Sequence, residues 1–258
     1  MKIVVINGTE QRGSTYAMKE MFMDAAARVG LAQNNTRAQN ETSADAAGRG
    51  DVVEYYLPAD CPAFCTGCKA CFYNDISVCP HAQYTVPIWE AISAADLLVF
   101  TSPVYVYHVT AQMKALLDHY ATKWMAHSPE RQMFAKQAVI ITNSAGAGMS
   151  NVAKDIGDSL RFWGVARIHV VKQGLFESRW EHVSDKRKAR VKRRCETVCR
   201  RIKPVVKTSL GAKGRFYSMQ TVHKMIHKDM LKRGQPETRD HIYWRENGWL
   251  SGGTPWGK

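Results

Sequence analysis

Five short apolar runs recur along the first two thirds of the chain: KIVVI at 2–6, DVVEYY at 51–56, DLLVFT at 96–101, QAVIIT at 137–142 and ARIHVV at 166–171. Segments of helical periodicity lie between them. After the first run, Ala17, Met18, Met21, Phe22 and Ala25 fall on one helical face. The pattern continues through Val86–Ala94, Thr110–Trp124 and Val152–Trp163. Short strands that are apolar throughout are covered on both faces. Strands alternating with helices therefore predict an α/β fold, a doubly wound sheet of five parallel strands with right-handed crossovers. In such a sheet ligands bind beyond the carboxyl ends of the strands, near the switch in strand order. The first, third and fourth runs end in GTEQRGST, SPVYVYH and NSAGAGMSN, which the crossovers bring to one edge. Residues 33–50 are small and polar, as expected of a loop.

GTEQRGST, residues 8–15, has the spacing of a phosphate-binding P-loop, but Ser14 stands where that motif has lysine. Without a cation to reach the outer phosphates, triphosphate hydrolysis is not expected. A strand, a glycine-containing turn and a helix N-terminus still make an anion site, because free amides and the positive end of the helix dipole face it. The hydroxyls of Thr9, Ser14 and Thr15, the amides around Gly13 and the Arg12 guanidinium suffice for one phosphate dianion. Capping of an ordinary turn by Ser14 or Thr15 is the plainer alternative.

With 258 residues and 45% hydrophobic content the chain has room for one large domain with an appendage. No apolar stretch approaches the ~20 residues that span a bilayer, and the first run is too short for the core of a secretion signal. A cytoplasmic location is expected, and seven cysteines then read as thiols or metal ligands rather than a disulfide framework. Cys65, Cys68, Cys71 and Cys79 are spaced C-x2-C-x2-C-x7-C. Such a run can present thiolates to a [4Fe-4S] cluster or a zinc ion, or can remain unmetallated.

The net charge of +13 is concentrated. Residues 184–216 hold thirteen Lys or Arg against Asp185 and Glu196. Within 184–203, Val191, Cys195, Val198 and Ile202 form a narrow apolar stripe, so a solvated helix docked on the main domain is expected. Cys195 and Cys199 read as packing residues in that helix. No nucleic-acid-binding signature is present, and nucleic acid is not the expected partner.

The first loop, SPVYVYHVTAQMKALLDHY and CTGCKACFYNDISVC together resemble the flavodoxin-like NAD(P)H-dependent FMN reductase superfamily, most of all its iron–sulfur flavoprotein branch. The resemblance implies a flavodoxin-like FMN-binding domain over 1–178 and leaves 179–258 as a helical, basic C-terminal extension. It implies that the phosphate is that of FMN, held by Thr9, Arg12, Gly13, Ser14 and Thr15. Ser102, Pro103, Val104 and Tyr105 would lie along the isoalloxazine ring, with Asn143, Ser144, Ala145, Gly146 and Gly148 closing its other edge. The branch implies a [4Fe-4S] cluster on Cys65, Cys68, Cys71 and Cys79, although the acidic pair usual after the last cysteine is replaced here by CPHAQYT. His81 could serve as a metal ligand but is expected to face solvent, and His108, which follows the SPVY loop, to face substrate.

The function so implied is oxidation of NAD(P)H through FMN, with electrons passed to a small acceptor such as a quinone or free flavin. No acid or base residue is required, since the flavin carries the chemistry. The rival is a non-enzymatic electron carrier serving protein partners. A homodimer or homotetramer is expected, with Trp244 and Trp249 offering apolar surface to a second copy.

Overall fold

The apolar runs become strands β1 (Ile3–Asn7), β2 (Val52–Tyr56), β3 (Leu97–Thr101), β4 (Gln137–Ser144) and β5 (Arg167–Gly174) in a computed structural model, which describes residues 1–32, 52–204 and 206–257. The loop expected at 33–50 lies outside the described residues. The sheet is parallel throughout, in the order β2-β1-β3-β4-β5. Its register is flush at the start: Ile3 pairs with Val52 and Leu97, Leu97 with Gln137, and Gln137 with Arg167. The fold is the expected α/β arrangement. β1 and β3 are neighbours although β2 intervenes in sequence, so the switch in strand order falls between them.

The helices are α1 (Ser14–Arg28), α2 (Ala70–Tyr73), α3 (Ala82–Ala94), α4 (Ala111–His119), α5 (Met149–Trp163), α6 (Asp185–Arg201), α7 (Leu210–Lys232) and α8 (Arg239–Glu246). Alternate residues of the central strands enter separate cores. Val4, Ile6, Leu98, Phe100 and Ile140 pack with Ile88, Trp89, Leu116 and Trp163 from α3, α4 and α5. Ile3, Val5, Val99, Val139 and Ile141 pack with Met18 and Phe22 of α1 and Val191, Cys195 and Val198 of α6. The period of two along buried strands thus supplies both faces.

The basic helix lies on α1, with its stripe buried and its charges outward. Cys195 and Cys199 are packing residues there. Burial raises their thiols to about 12 and about 11. A third cluster joins Met125 and Phe134 to Ala212, Phe216, Trp244 and Trp249. This corrects one expectation. Trp244 and Trp249 are fully buried within the chain and offer no surface to a second copy. Among the described residues, no helix is long and apolar enough to cross a membrane.

Candidate flavin site and the cysteine segment

The three strand-end loops meet. Gly8 closes β1 against β3: its amide donates to the Thr101 carbonyl at 2.7 Å, and its carbonyl accepts from the Thr110 hydroxyl at 2.6 Å. A Cβ at Gly8 would stand 2.8 Å from the Thr101 carbonyl oxygen, so only glycine allows this approach. Thr110 also caps α4, accepting from the Met113 amide. Thr9 is half-buried and Arg12 and Gly13 are exposed, whereas Ser14 and Thr15 are buried at the start of α1. The Thr15 hydroxyl donates to the Asn143 side-chain oxygen, which ties the first loop to the end of β4. The Ser14 hydroxyl is buried with no partner among the described residues, and no side chain caps α1.

Ser102 is buried and Pro103 and Val104 half-buried, while Tyr105 is exposed. The Val104 amide donates to the Asn143 carbonyl at 3.1 Å, extending the β3–β4 pairing into both loops. Asn143 and Ser144 are buried, Ala145 and Gly146 exposed, and Gly148 half-buried. Beyond Tyr105 the chain makes a two-residue hairpin: Tyr105 and His108 exchange backbone hydrogen bonds at 3.0 Å across Val106 and Tyr107, both at positive φ. The expected residues of the three loops therefore share one edge. His108 is exposed at the outer end of the hairpin, its Nδ1 2.9 Å from the Asp155 carboxylate. Gly8 opens the first loop in the sequence, whereas the places of Thr110 and Asp155 at this edge emerge only in the fold.

The cysteine segment runs from the end of β2 to α3. Cys65 and Cys68 are exposed and Cys71 and Cys79 half-buried. The tightest grouping of donor atoms among the described residues is mixed: Cys79 Sγ and one nitrogen each of His81 and His119 lie within 4.8 Å of one another. His81 and His119 are 38 residues apart in sequence, and their ring nitrogens are 3.0 Å apart. His81 faces this cluster rather than open solvent. Sequence spacing gave no signal for the pairing.

A family model described as NADPH-dependent FMN reductase matches residues 1–179. The chain belongs to this family. It is a flavin oxidoreductase, and FMN and NAD(P)H are the cofactor and reductant that membership implies. Solved structures share the fold. An azoreductase from Bacillus anthracis str. Sterne is 10% identical, with 78% of this chain and 100% of that one covered and a TM-score of 0.55. An FMN-dependent NADH-azoreductase from Bacillus anthracis str. Ames Ancestor, in complex with FMN, is 14% identical over 78% and 99% of the two chains, at a TM-score of 0.54. A flavone reductase is 16% identical at a TM-score of 0.49; the alignment covers 78% of this chain and spans 62% of that protein's length. No curated protein matches the sequence.

The strand-end edge fits the cofactor of this reductase family. A buried hydroxyl without a partner at a helix N-terminus is what a phosphate oxygen would satisfy. The Ser144 hydroxyl, at the end of β4, is likewise buried and unpartnered. The cysteine segment is different. Two imidazole nitrogens lie within 4.8 Å of the Cys79 thiol, so the tightest donor set is mixed, while the Cys71 thiol senses Cys79, Cys65 and Cys68.

Proposed function

We propose that this reductase holds FMN at the carboxyl edge of β1, β3 and β4 and passes reducing equivalents from NAD(P)H to a small acceptor such as a quinone or free flavin. The observation that carries the reading is the buried, unpartnered Ser14 hydroxyl at the N-terminus of α1. Thr9, Arg12, Gly13, Ser14 and Thr15 would hold the phosphate. Ser102–Tyr105 and Asn143–Gly148 would flank the ring. When bound, FMN supplies a hydride acceptor and onward electron delivery.

The chain's own part is position and electrostatics. Helix α1 offers the amides of its first turn and the positive end of its dipole. The Arg12 guanidinium is exposed above the Tyr16 ring, 5.5 Å from its centroid, and adds a cation at the mouth of the loop. The Val104 amide, bonded to the Asn143 carbonyl, holds the two ring-side loops in register, and the Thr15 hydroxyl, bonded to the Asn143 side chain, ties the phosphate loop to them. Pro103 fixes the turn and offers no amide hydrogen. Asp155 orients the His108 imidazole at the outer end of the hairpin. The exposed apolar tip at Tyr105, Val106 and Tyr107 adjoins the site, and a homodimer or homotetramer that covers it completes the reading.

Titration of flavin-free protein with FMN is the test. Binding of one FMN per chain is expected, and replacing both Ser14 and Thr15 with Ala should weaken it by about 2–4 kcal/mol, as for lost hydrogen bonds to a charged group. NADPH oxidation with an added quinone should follow FMN occupancy. A folded protein that takes up no FMN would sink the reading.

A further inference from the structure

His119 ends α4 and is only 4% exposed, with its Nδ1 2.8 Å from the Ala115 carbonyl. That carbonyl can only accept, so Nδ1 carries the ring proton and Nε2 presents a bare lone pair. Fixing a histidine tautomer through a backbone carbonyl is how proteins prepare an imidazole to bind a metal. The lone pair points at His81, 3.0 Å away, and Cys79 completes a trio within 4.8 Å. Ligand atoms around a tetrahedral zinc ion stand ~3.3–3.8 Å apart, as follows from bond lengths near ~2.0–2.3 Å, so small side-chain adjustments suffice.

The trio comes from two directions. Cys79 and His81 flank Pro80 immediately before α3, and His119 arrives from the far end of α4. The N-terminus of α3 favours a thiolate and the C-terminus of α4 favours a cation, so both dipoles suit the charges that a bound metal would place there. Mixed thiolate and imidazole donors select zinc among the common divalent ions. Of the other thiols in the 65–79 run, Cys71 lies on α2, which packs against the turn that leads to Cys79.

We propose that Cys79, His81 and His119, with Cys71 as the fourth ligand, form a structural zinc site that clamps the cysteine segment and α3 to the end of α4. This site competes for Cys71 and Cys79 with an iron–sulfur cluster on Cys65, Cys68, Cys71 and Cys79, so the two cannot coexist. It does not depend on the flavin reading.

Metal analysis of the full chain as purified, equilibrated with zinc and then desalted, tests the site. About one zinc per chain is expected. Cys79→Ser, His81→Ala and His119→Ala should each lose it, whereas Cys65→Ala and Cys68→Ala should keep it. An unchanged circular-dichroism spectrum and a cooperative melting transition report that each variant is folded. If His119→Ala does not fold, His81→Ala, at the half-exposed ligand, decides. Cobalt in place of zinc should give the visible bands of a tetrahedral site with a thiolate charge-transfer band. Cys71→Ala should cut that band to roughly half, as one of two thiolates is lost. An unchanged band would overturn the place given to Cys71. Folded wild-type protein that takes up neither zinc nor cobalt would overturn the site. So would about four irons per chain that Cys65→Ala removes and His119→Ala leaves in place.

Discussion

Of the residues at the proposed flavin edge that hold the backbone at positive φ, Gly148 and Val106 do so with opposite consequences. Gly148 sits at φ 93°, and a Cβ there would lie 2.6 Å from Val104 Cγ1 and 3.0 Å from the Tyr107 Cα. Gly148→Ala must therefore strain its own backbone and push the two ring-side loops apart. A loss of about 2–3 kcal/mol in stability is expected, as for a strained residue that also clashes, with weaker FMN binding measured by titration. Val106, at φ 47° and 94% exposed, meets no such crowding. A β-branched side chain is rarely tolerated at that φ, and nothing buried repays the strain. Val106→Asn should keep the turn and relieve the strain, raising Tm by about 2–4 °C, which corresponds to roughly 1 kcal/mol in a chain of this size. The glycine was visible in the sequence as a small residue in a loop. The valine was not, because Tyr-Val-Tyr reads as strand and only the Tyr105–His108 pairing makes it a turn.

At the scale of elements, α1 carries a second feature that its amphipathic pattern hides. Lys19 is 1% exposed, and its ammonium lies 2.9 Å from one Glu54 carboxylate oxygen on β2 and 3.2 Å from the other. Burial works against the charge, but the Glu54 carboxylate, with Glu20 alongside, outweighs it and holds the amine above its ordinary value. Breaking this pair from the acid side strands a buried cation. Glu54→Gln should cost about 2–3 kcal/mol in urea unfolding, less than the 3–5 of a fully isolated pair because Glu20 remains. Lys19→Met should cost less, since it removes the charge that needs a partner. Helix limits show where local sequence falls short. α3 begins at Ala82, not Val86, since the chain accommodates Pro87 inside the helix rather than near its start. α4 ends at His119, not Trp124, as Tyr120 turns away to donate its hydroxyl to the Thr85 carbonyl at 2.8 Å.

Over the whole molecule, the sheet and its ligand edge were legible because each strand declares itself within five or six residues and the crossover rule fixes how strands assemble. What α7 and α8 pack against was not legible, because their partners Met125 and Phe134 lie in a loop and a five-residue 3-10 turn, too short to show a period. The resulting third core holds the most strongly perturbed histidine among the described residues. His223 is buried, its Nε2 is 3.2 Å from the Ala126 carbonyl, its ring stacks on Trp244 with centroids 4.2 Å apart, and its Nδ1 has no partner among the described residues. Burial chiefly, and then the neighbouring His241, lowers its pKa to about 4. The unfolded chain binds a proton at this ring near pH 6.5 and the folded chain does not until about pH 4, so folding is disfavoured between those values. This contribution to stability is fully present above pH 6.5 and is lost as pH falls toward 4, by about 3 kcal/mol at most. Burial also lowers the pKa of His119 at the end of α4 and of His169 on β5, but the large shift is that of His223, so the loss should be greatest in α7 and α8. Hydrogen exchange at pH 5 should show α7 and α8 losing protection relative to pH 7.5 while β1, β3 and β4 keep theirs. His223→Gln, which cannot take a proton, should flatten the difference. Equal loss of protection in the strands would mean that the third core and the sheet unfold as one unit.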